Sequence, residues 1–336
     1  MEALVCLEPG RLELANLPPP QRGSADVLVR PRCVGICGTD YHIFEGKHPF
    51  LKYPRVMGHE LAVEVVEAAA DSGVSVGEIC VVNPYLSCGN CIACRMDRPN
   101  CCVHLSVLGV HQDGGMADLI AVPRQNLIRA PGLTVDECAA VEFLAIGAHA
   151  VRRVSVTHAD HVLVVGAGPI GLGVALAARA AGADVFVLDD NAERTSAAQS
   201  IAEAKPILVD DSPAQAVNRI TSGEGFNVVF DATGNQQAMQ AGFDYVAHGG
   251  RYVLVGVITG SVAFADPDFH RKEMTLLGTR NATSEDFGNV IACIRNGSVP
   301  VNRLITHRTS LSGAIMDLPR WAKDKTGLIK ALIHVG

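Results

Sequence analysis

The sequence has no excess of positive charge and no run of basic residues. Its 336 residues include 28 Lys and Arg against 35 Asp and Glu, which gives a net charge of -7 at pH 7. A chain with this balance has no general electrostatic attraction to the phosphate backbone of nucleic acids or to anionic lipids. We therefore expect neither nucleic acid nor a membrane surface as a partner.

Long hydrophobic runs are also missing. The longest uncharged stretch, VLVVGAGPIGLGVALAA at residues 162–178, contains a proline and four glycines. It is shorter than the roughly 20 apolar residues that a transmembrane helix needs, so we predict no membrane span. The first residues, MEALVCLEPGRLEL, lack the basic segment and apolar core of a secretory signal peptide.

Internal repeats and low-complexity linkers are absent too, and what remains is the composition of a globular enzyme. Apolar residues make up 48% of the chain, and there are 33 glycines. This balance allows hydrophobic burial to offset chain entropy, unlike the composition of a disordered protein. At about 150 residues per domain, the length predicts two domains.

Cysteine, in contrast, is abundant. The chain has eleven cysteines, an odd number, and six of them lie from Cys80 to Cys102. Because no signal peptide is evident, the clustering favours metal binding over disulfides and a reducing cytoplasm as the compartment.

The pattern of elements changes along the chain. Residues 1 to about 130 consist of short β-branched runs separated by Pro, Gly and Asn, which predicts a mostly β domain. From about residue 160, apolar strands alternate with helical stretches, the last of them QAMQAGFDYVAHG, which predicts a parallel sheet buried on both faces. After about residue 280 we predict one more helix, SEDFGNVIACIRNGS, and a final short strand that returns to the first domain.

The most specific local motif is a C-x2-C-x2-C-x7-C pattern formed by Cys88, Cys91, Cys94 and Cys102. Four thiolates on a tight loop can complete the tetrahedral shell of Zn2+, and a complete shell is typical of a structural site. The alternatives are an iron-sulfur loop, incidental cysteines, or Cys101 in place of Cys102 as the fourth ligand.

A second set of possible metal ligands is spread along the chain. Cys37 lies in GICGTDYH, His59 and Glu60 lie in MGHE, and Glu142 lies in AVEFLAIG. Mixed sulfur, imidazole and carboxylate ligands suit a catalytic zinc that keeps one position open. Taken singly, however, Cys37 is typical of a buried small hydrophobe and His59 of a hydrogen-bonded structural histidine.

A glycine-rich motif, Gly166-Ala167-Gly168-Pro169-Ile170-Gly171, directly follows the predicted strand HVLVV and opens a predicted helix. In this context the first glycine forms a tight turn, the second admits a pyrophosphate, and the third lets the helix pack on the strand. The alternative is a strand-turn-helix unit that packs through its glycines and binds no nucleotide.

The choice of dinucleotide depends on the end of the next predicted strand, ADVFVLD. Asp189 lies 23 positions after Gly166, near the spacing of a carboxylate that binds the adenosine ribose. Such a carboxylate repels a 2′-phosphate, so we predict NAD rather than NADP. Asp190 competes for the same role, and Arg194 leaves room for a phosphate contact.

These motifs, in this order, resemble the zinc-dependent medium-chain dehydrogenases, the alcohol and sorbitol dehydrogenase superfamily, along essentially the whole chain. The strings SVLGVHQDGG, AHAVRR, DATGNQQAM and GTRNATSEDF resemble the sugar-acid branch, which includes L-galactonate and L-gulonate 5-dehydrogenases. The resemblance implies an α/β protein with a GroES-like β catalytic domain and an inserted Rossmann domain with a doubly wound parallel sheet.

The resemblance also implies the domain boundaries and the assembly. The catalytic domain with both zinc sites would cover residues 1–143, the NAD-binding Rossmann domain 144–281, and a C-terminal return to the catalytic domain 282–336. Members of the family form dimers or tetramers, so a homo-oligomer is expected.

Carried over by position, the family pattern assigns roles to individual residues. Cys37 and His59 become ligands of the catalytic zinc, and Glu60 and Glu142 share the remaining ligand and water-holding places. Cys102 rather than Cys101 completes the structural zinc site. Thr39 and His42 become the residues of a proton relay. Asp189, Thr233 and Gly234 become cofactor contacts.

The expected reaction is oxidation of a secondary alcohol of a linear sugar acid to the keto acid, with zinc and NAD as cofactors. The closest alternative is a neutral polyol or threonine as the substrate. An alternative from a different class is a non-catalytic zinc- and nucleotide-binding regulatory protein.

Overall fold

The computed structural model of the chain describes residues 1–48, 51–209 and 212–336. The chain folds as two compact units. Unit 1 combines residues 1–143 with residues 283–336, and unit 2 consists of residues 144–282. Unit 1 is therefore discontinuous in sequence. None of the helices in the described ranges has the length and apolar character needed to cross a bilayer.

The N-terminal segment of unit 1 is rich in short strands. Its strands are β1 (Glu2–Glu8), β2 (Arg11–Asn16), β3 (Asp26–Ile36), β4 (Arg55–Val56), β5 (Glu60–Glu67), β6 (Ile79–Val82), β7 (Tyr85–Leu86), β8 (Ser106–Val107), β9 (Ile120–Pro123) and β10 (Leu127–Arg129). Its helices are α1 (Gly38–Phe44), α2 (Ile92–Arg95), α3 (Val135–Ala139) and α4 (Val141–Arg153), the last of which continues into unit 2.

Unit 2 alternates strands with helices. Its strands are β11 (His161–Val165), β12 (Asp184–Leu188), β13 (Lys205–Pro206), β14 (Phe226–Asp231), β15 (Val246–Leu254) and β16 (Thr275–Gly278). Its helices are α5 (Pro169–Ala180), α6 (Ala192–Ala202), α7 (Pro213–Thr221), α8 (Gln236–Ala241) and α9 (Asp266–Arg271). The C-terminal segment of unit 1 then adds α10 (Ser284–Arg295), α11 (Val301–Leu304), β17 (Ile305–Ser310), α12 (Ala314–Lys323) and β18 (Lys330–His334).

The largest sheet of unit 1 joins the two ends of the chain. Its strand order is β10-β6-β5-β3-β18-β17, and β9 also pairs with β3. The last strand, β18, runs antiparallel to β3, with Leu332 opposite Gly35 and His334 opposite Cys33. Because β18 is hydrogen-bonded within the sheet, residues more than 290 positions apart become neighbours.

Unit 2 contains a six-stranded sheet in the order β13-β12-β11-β14-β15-β16, and its strands pair in parallel. Helix α5 packs on β11 and β12, and apolar side chains such as Leu163, Val229 and Phe226 are buried in the core of the unit. Each large apolar side chain of this kind contributes about 1.5–3 kcal/mol on burial. The parallel, doubly wound sheet predicted from the sequence is confirmed.

One predicted helix of unit 2 is shorter than expected. The segment QAMQAGFDYVAHG was expected to be helical throughout, but α8 ends at Ala241 and strand β15 begins at Val246. A 3-10 turn at Gly242–Tyr245 separates them. The cause is tertiary, because Gly242 packs against the buried Tyr252 hydroxyl, which donates to the carbonyl of Met239 at 2.8 Å.

Candidate active site

The four predicted cysteines of the structural lobe lie together around helix α2. The sulfur of Cys91 is 3.4 Å from that of Cys94 and 3.9 Å from that of Cys102, and the sulfurs of Cys102 and Cys88 are 3.5 Å apart. A tetrahedral zinc with bonds of about 2.3 Å to sulfur requires sulfurs about 3.8 Å apart. The cluster therefore fits a zinc ion, whereas Cys101 is exposed and lies outside it.

Local backbone geometry prepares this cluster to bind a cation. The backbone N–H groups of Cys94 and Val103 point at the sulfur of Cys91 and lower the pKa of its thiol to about 6. A thiolate is the form that binds metal. All eleven cysteines are free in the structure, so no disulfide competes with metal binding.

We expect Cys91→Ser to lower the zinc content by about one ion per chain, because a three-thiolate set cannot close the site. Cys101→Ser is the matched control, since it removes the neighbouring exposed thiol and leaves the cluster intact. Atomic emission on the purified full chain measures both. An unchanged zinc content in Cys91→Ser, or an equal loss in Cys101→Ser, contradicts the assignment.

A second group of possible ligands forms where strands β3 and β5 meet. One ligand atom each from Cys37, His59 and Glu60 lies within 4.8 Å of the others. Cys37 follows β3 and is the N-cap residue of α1, while Glu60 begins β5. The preceding turn requires Gly58, whose φ is +94° and whose Cβ, if present, would meet Val34 at 2.7 Å.

Asp40 holds this group together, and the sequence analysis missed it. One carboxylate oxygen of Asp40 accepts the N–H of Cys37 at 2.8 Å, and the other accepts the N–H of Gly58 at 3.3 Å and lies 4.0 Å from Nδ1 of His59. Asp40 is fully buried. The signal was present, because an acid three residues after an N-cap is part of the capping-box pattern.

The electrostatics of this group favour a divalent cation. Nδ1 of His59 is buried and has no hydrogen-bond partner among the described residues. Burial alone would lower the pKa of His59, but the negative charges of Cys37, Asp40 and Glu142 outweigh it and raise the pKa well above its usual value. A buried imidazole nitrogen without a donor or acceptor, surrounded by negative charge, is a suitable zinc ligand.

Lys330 is a second residue that sequence reasoning missed. Its Nζ lies 2.7 Å from both carboxylate oxygens of Glu60, donates to the carbonyl of Ile36 at 3.1 Å and lies 4.3 Å from the ring centre of Phe143. Burial alone would lower the pKa of Lys330, but the charge of Glu60 outweighs it and raises the pKa. No local pattern reveals this pair, because its members are 270 positions apart.

Glu142 lies in the first turn of α4, close enough to His59 to affect its pKa, but it is not part of the 4.8 Å group. The buried Tyr85 hydroxyl donates to one of its carboxylate oxygens. Burial, opposed by His59, raises the pKa of Glu142 to about 7. Glu142 therefore keeps one carboxylate oxygen free of Tyr85, while both oxygens of Glu60 contact Lys330.

The raised pKa of Glu142 predicts a pH dependence of stability in the zinc-free protein. Its carboxyl titrates near 4.5 in the unfolded chain and near 7 in the folded chain. The folded state therefore holds the proton more tightly, and its stability falls as the pH rises from about 4.5 to about 7.

In Glu142→Gln this loss of stability should disappear. The free energy of unfolding of the variant minus that of the wild type should therefore be larger at pH 8 than at pH 5, by on the order of 3 kcal/mol. Urea unfolding of the zinc-free proteins at both pH values measures the difference. A difference in the free energy of unfolding between the two proteins that does not change with pH would contradict the prediction.

The proposed proton-relay residues occupy the start and end of α1. The sulfur of Cys37 lies 3.8 Å from the hydroxyl of Thr39, which is partly buried. His42 lies in the last turn of α1 and is exposed to solvent. The structure thus places Thr39 beside the candidate ligands and His42 at the surface.

The glycine-rich loop connects β11 to α5 in unit 2. Gly166 has a φ of +92°, Gly168 is the N-cap residue of α5, Pro169 begins the helix, and Ile170 follows it. A Cβ on Gly171 would lie 1.7 Å from the carbonyl oxygen of Gly166, so only glycine permits this approach. In contrast, a Cβ on Gly168 would meet nothing within 4 Å, which leaves space beside the helix N-terminus.

Asp189 lies at the end of β12 and is tied to this loop. Its carboxylate accepts the N–H of Ala167 at 2.7 Å and the N–H of Asn191 at 2.9 Å. Nη1 of Arg194 is 3.9 Å away, and Asp190 is exposed. The two backbone bonds orient the Asp189 carboxylate beside the glycine-rich loop.

The loop after β14 carries the last predicted cofactor contacts. Thr233 donates to one oxygen of the buried Asp231 through its N–H at 3.0 Å and its hydroxyl at 2.9 Å. Gly234 has a φ of +60° and is exposed. The other carboxylate oxygen of Asp231 has no hydrogen-bond partner among the described residues, and the sequence analysis did not single out this aspartate.

Comparisons with known proteins identify the class. Residues 23–132 match the model of the alcohol dehydrogenase GroES-like domain, and residues 169–296 match the model of the zinc-binding dehydrogenase domain. The chain belongs to the zinc-binding alcohol dehydrogenase family, whose members act on CH–OH donors. The family resemblance and the fold class predicted from the sequence are confirmed.

Individual relatives refine this membership. The chain is 40% identical to L-galactonate-5-dehydrogenase of Escherichia coli K12, over 99% of this chain and 98% of that protein. It is 30% identical to L-threonine 3-dehydrogenase of Pyrococcus horikoshii, over 92% of this chain and 91% of that protein. RspB of Escherichia coli CFT073, described as a short chain alcohol dehydrogenase complexed with NADH, has a TM-score of 0.92 at 28% identity and covers 99% of both chains.

Proposed function

We propose that the protein oxidises a secondary alcohol of a linear sugar acid of the L-galactonate or L-gulonate class to the keto acid, with NAD+ as the hydride acceptor. The observation that carries this proposal is the 40% identity to L-galactonate-5-dehydrogenase over nearly the whole of both chains. The grouped ligands Cys37, His59 and Glu60 support it, because they match the donor set of a catalytic zinc.

We further propose a division of labour between the two units. Unit 1 holds a catalytic zinc through Cys37 and His59. Glu60 and Glu142 share two further roles, which are the remaining protein ligand and the group that holds a bound water. It also holds a structural zinc through its four-cysteine lobe. Unit 2 binds the dinucleotide through its glycine-rich loop, with Asp189 on the adenosine ribose. The eleven free cysteines suit a reducing cytoplasm.

The catalytic roles follow from placement. When bound, zinc supplies Lewis acidity that lowers the pKa of a substrate hydroxyl, and the nicotinamide accepts the hydride. Thr39 accepts the hydroxyl proton at Oγ1 as it gives up its own hydroxyl proton, and exposed His42 passes that proton to solvent. Asp40 positions Cys37 and Gly58, the residue before His59, by accepting hydrogen bonds from their N–H groups. Lys330 places its ammonium group beside both carboxylate oxygens of Glu60.

The cofactor preference rests on Asp189. Its carboxylate is held by two backbone N–H groups, so it cannot turn away from a ligand without losing them. A 2′-phosphate beside a fixed carboxylate is repelled, which favours NAD. Nη1 of Arg194 lies 3.9 Å from this carboxylate, and Arg194 is the residue that would compensate if NADP were accepted.

A substrate panel tests the proposal directly. L-galactonate, L-gulonate, sorbitol and L-threonine are each offered with NAD+ or NADP+, and reduced cofactor is followed by absorbance. We expect turnover of an aldonate with NAD+, and a loss of at least about 100-fold in Glu142→Ala but not in Cys101→Ser. Turnover of threonine or sorbitol without any aldonate would reject the sugar-acid substrate.

A threonine substrate is the second candidate, and the 30% identity to an L-threonine 3-dehydrogenase is the observation that favours it. The alternative of a non-catalytic zinc- and nucleotide-binding regulator predicts a different result. In that case the protein would bind NADH but reduce no cofactor with any alcohol in the panel.

A further inference from the structure

Unit 1 contains a third group of potential metal ligands, separate from the two described above. One ligand atom each from Cys33, Asp136 and His334 lies within 4.8 Å of the others. Cys33 is fully buried, whereas the side chains of Asp136 and His334 are 26% and 43% exposed. The group therefore has a buried sulfur at its base and an open side that faces solvent.

The sheet itself brings two of these residues together. Cys33 on β3 and His334 on β18 are directly opposite each other in the antiparallel ladder. The adjacent pair, Arg32 and Val335, carries a ladder hydrogen bond of 3.1 Å, so Cys33 and His334 form a non-hydrogen-bonded pair. Side chains of such pairs are closer together, at Cα separations of about 4.5 Å.

The third member is supplied by helix α3. Asp136 lies in its first turn, which is fixed by a capping box between Thr134 and Glu137. Nε and Nη2 of Arg308 contact Oδ2 of Asp136 at 3.0 and 2.9 Å, while Nε2 of His334 lies 3.4 Å from Oδ1. Arg308 thus holds one carboxylate oxygen and leaves the other beside the imidazole.

We propose that Cys33, Asp136 and His334 form an accessory binding site for a divalent cation of the zinc type. Sulfur, imidazole and carboxylate donors are the set that Zn2+ prefers, and three protein ligands leave a fourth position for water. Arg308 acts as the outer partner that orients the carboxylate, an arrangement typical of metal sites.

The chemistry of binding is a simple exchange. Burial raises the pKa of Cys33, so without metal this residue is a neutral thiol. Zinc replaces the thiol proton, which passes to solvent through the exposed side of the site, and a sulfur–zinc bond forms. The ion then links β3, β18 and α3, and so fastens the last strand of the chain to the sheet.

The alternative is a charge network without metal. His334, Asp136 and Arg308 alone could form ordinary surface ion pairs over a buried thiol, and such a network needs no third zinc. The two alternatives differ in zinc stoichiometry, which does not depend on catalytic activity.

The test compares zinc content in the full chain after gel filtration in a buffer of defined free Zn2+. The wild type should hold about one zinc more per chain than His334→Gln, and Cys33→Ala should match His334→Gln. His158→Gln and Cys293→Ser are the matched controls, because they remove an exposed histidine and a partly buried cysteine outside the group. Both controls should keep the wild-type content.

Equal zinc content in the wild type and His334→Gln overturns the proposal, as does an extra zinc that persists in Cys33→Ala. If Cys33→Ala fails to fold, Asp136→Asn replaces it, since that carboxylate is partly exposed. Addition of Cd2+ gives a second measurement, because a sulfur–cadmium absorption present in the wild type and reduced in His334→Gln reports the Cys33 bond. An absorption of equal size in both proteins counts against the site.

Discussion

Replacing Lys330 with methionine should lower the free energy of unfolding by about 3–5 kcal/mol. The substitution keeps the apolar stem but removes the charge that faces Glu60, whose carboxylate is fully buried. An unpaired carboxylate in the interior loses its counter-charge and keeps its desolvation cost. Urea unfolding at matched zinc content measures the effect.

Two controls make this result specific. Lys205 pairs with Asp184 at 2.7 Å, but its side chain is 59% exposed, so Lys205→Met should cost no more than about 1 kcal/mol. In the double variant Lys330→Met with Glu60→Gln, neither member of the pair is charged, and most of the lost stability should return. A loss below about 1 kcal/mol in Lys330→Met alone would show that the pair does not stabilise the fold.

Alanine at two neighbouring glycines should separate folding from cofactor binding. Gly171→Ala places a Cβ 1.7 Å from the carbonyl oxygen of Gly166, a backbone atom that cannot move without distorting the loop. We expect a stability loss of about 3 kcal/mol or more and no measurable NADH binding. Urea unfolding and calorimetric titration with NADH measure the two effects.

Gly168→Ala is the informative partner of that variant. Its φ of -66° suits any residue, and its Cβ would meet no atom within 4 Å. Stability should therefore change by less than about 0.5 kcal/mol. If the pyrophosphate approaches at Gly168, NADH affinity should still fall by about tenfold or more. Wild-type affinity in Gly168→Ala would place the pyrophosphate elsewhere.

Local sequence patterns were sufficient for the features that depend on spacing. The four-cysteine motif predicts a lobe in which the sulfurs of Cys88, Cys91, Cys94 and Cys102 converge, because the loop between them is too short to place them far apart. The glycine motif after a strand predicts the turn into α5 for the same reason. The alternation of strands and helices predicts the parallel sheet, since the hydrophobic period that identifies each element can be seen within a short stretch of sequence.

Features that depend on distant strands could not be predicted in this way. The helix expected over QAMQAGFDYVAHG stops early because Gly242 must pack beneath Tyr252, ten positions further along. Tyr85 and Glu142 are 57 positions apart and lie on separate elements. Nothing in the local sequence around either residue indicates the other.

By itself, the sequence determined the class of fold, the four-cysteine lobe, the glycine-rich turn after β11 and the residue types that meet at the candidate active site. Only the tertiary structure decided which charges are paired inside it. The return of β18 to β3 brings Lys330 to Glu60 and His334 to Cys33. The physical reason is that sheet register is set by packing across the whole unit, so a partner nearly 300 positions away leaves no local signal in the chain.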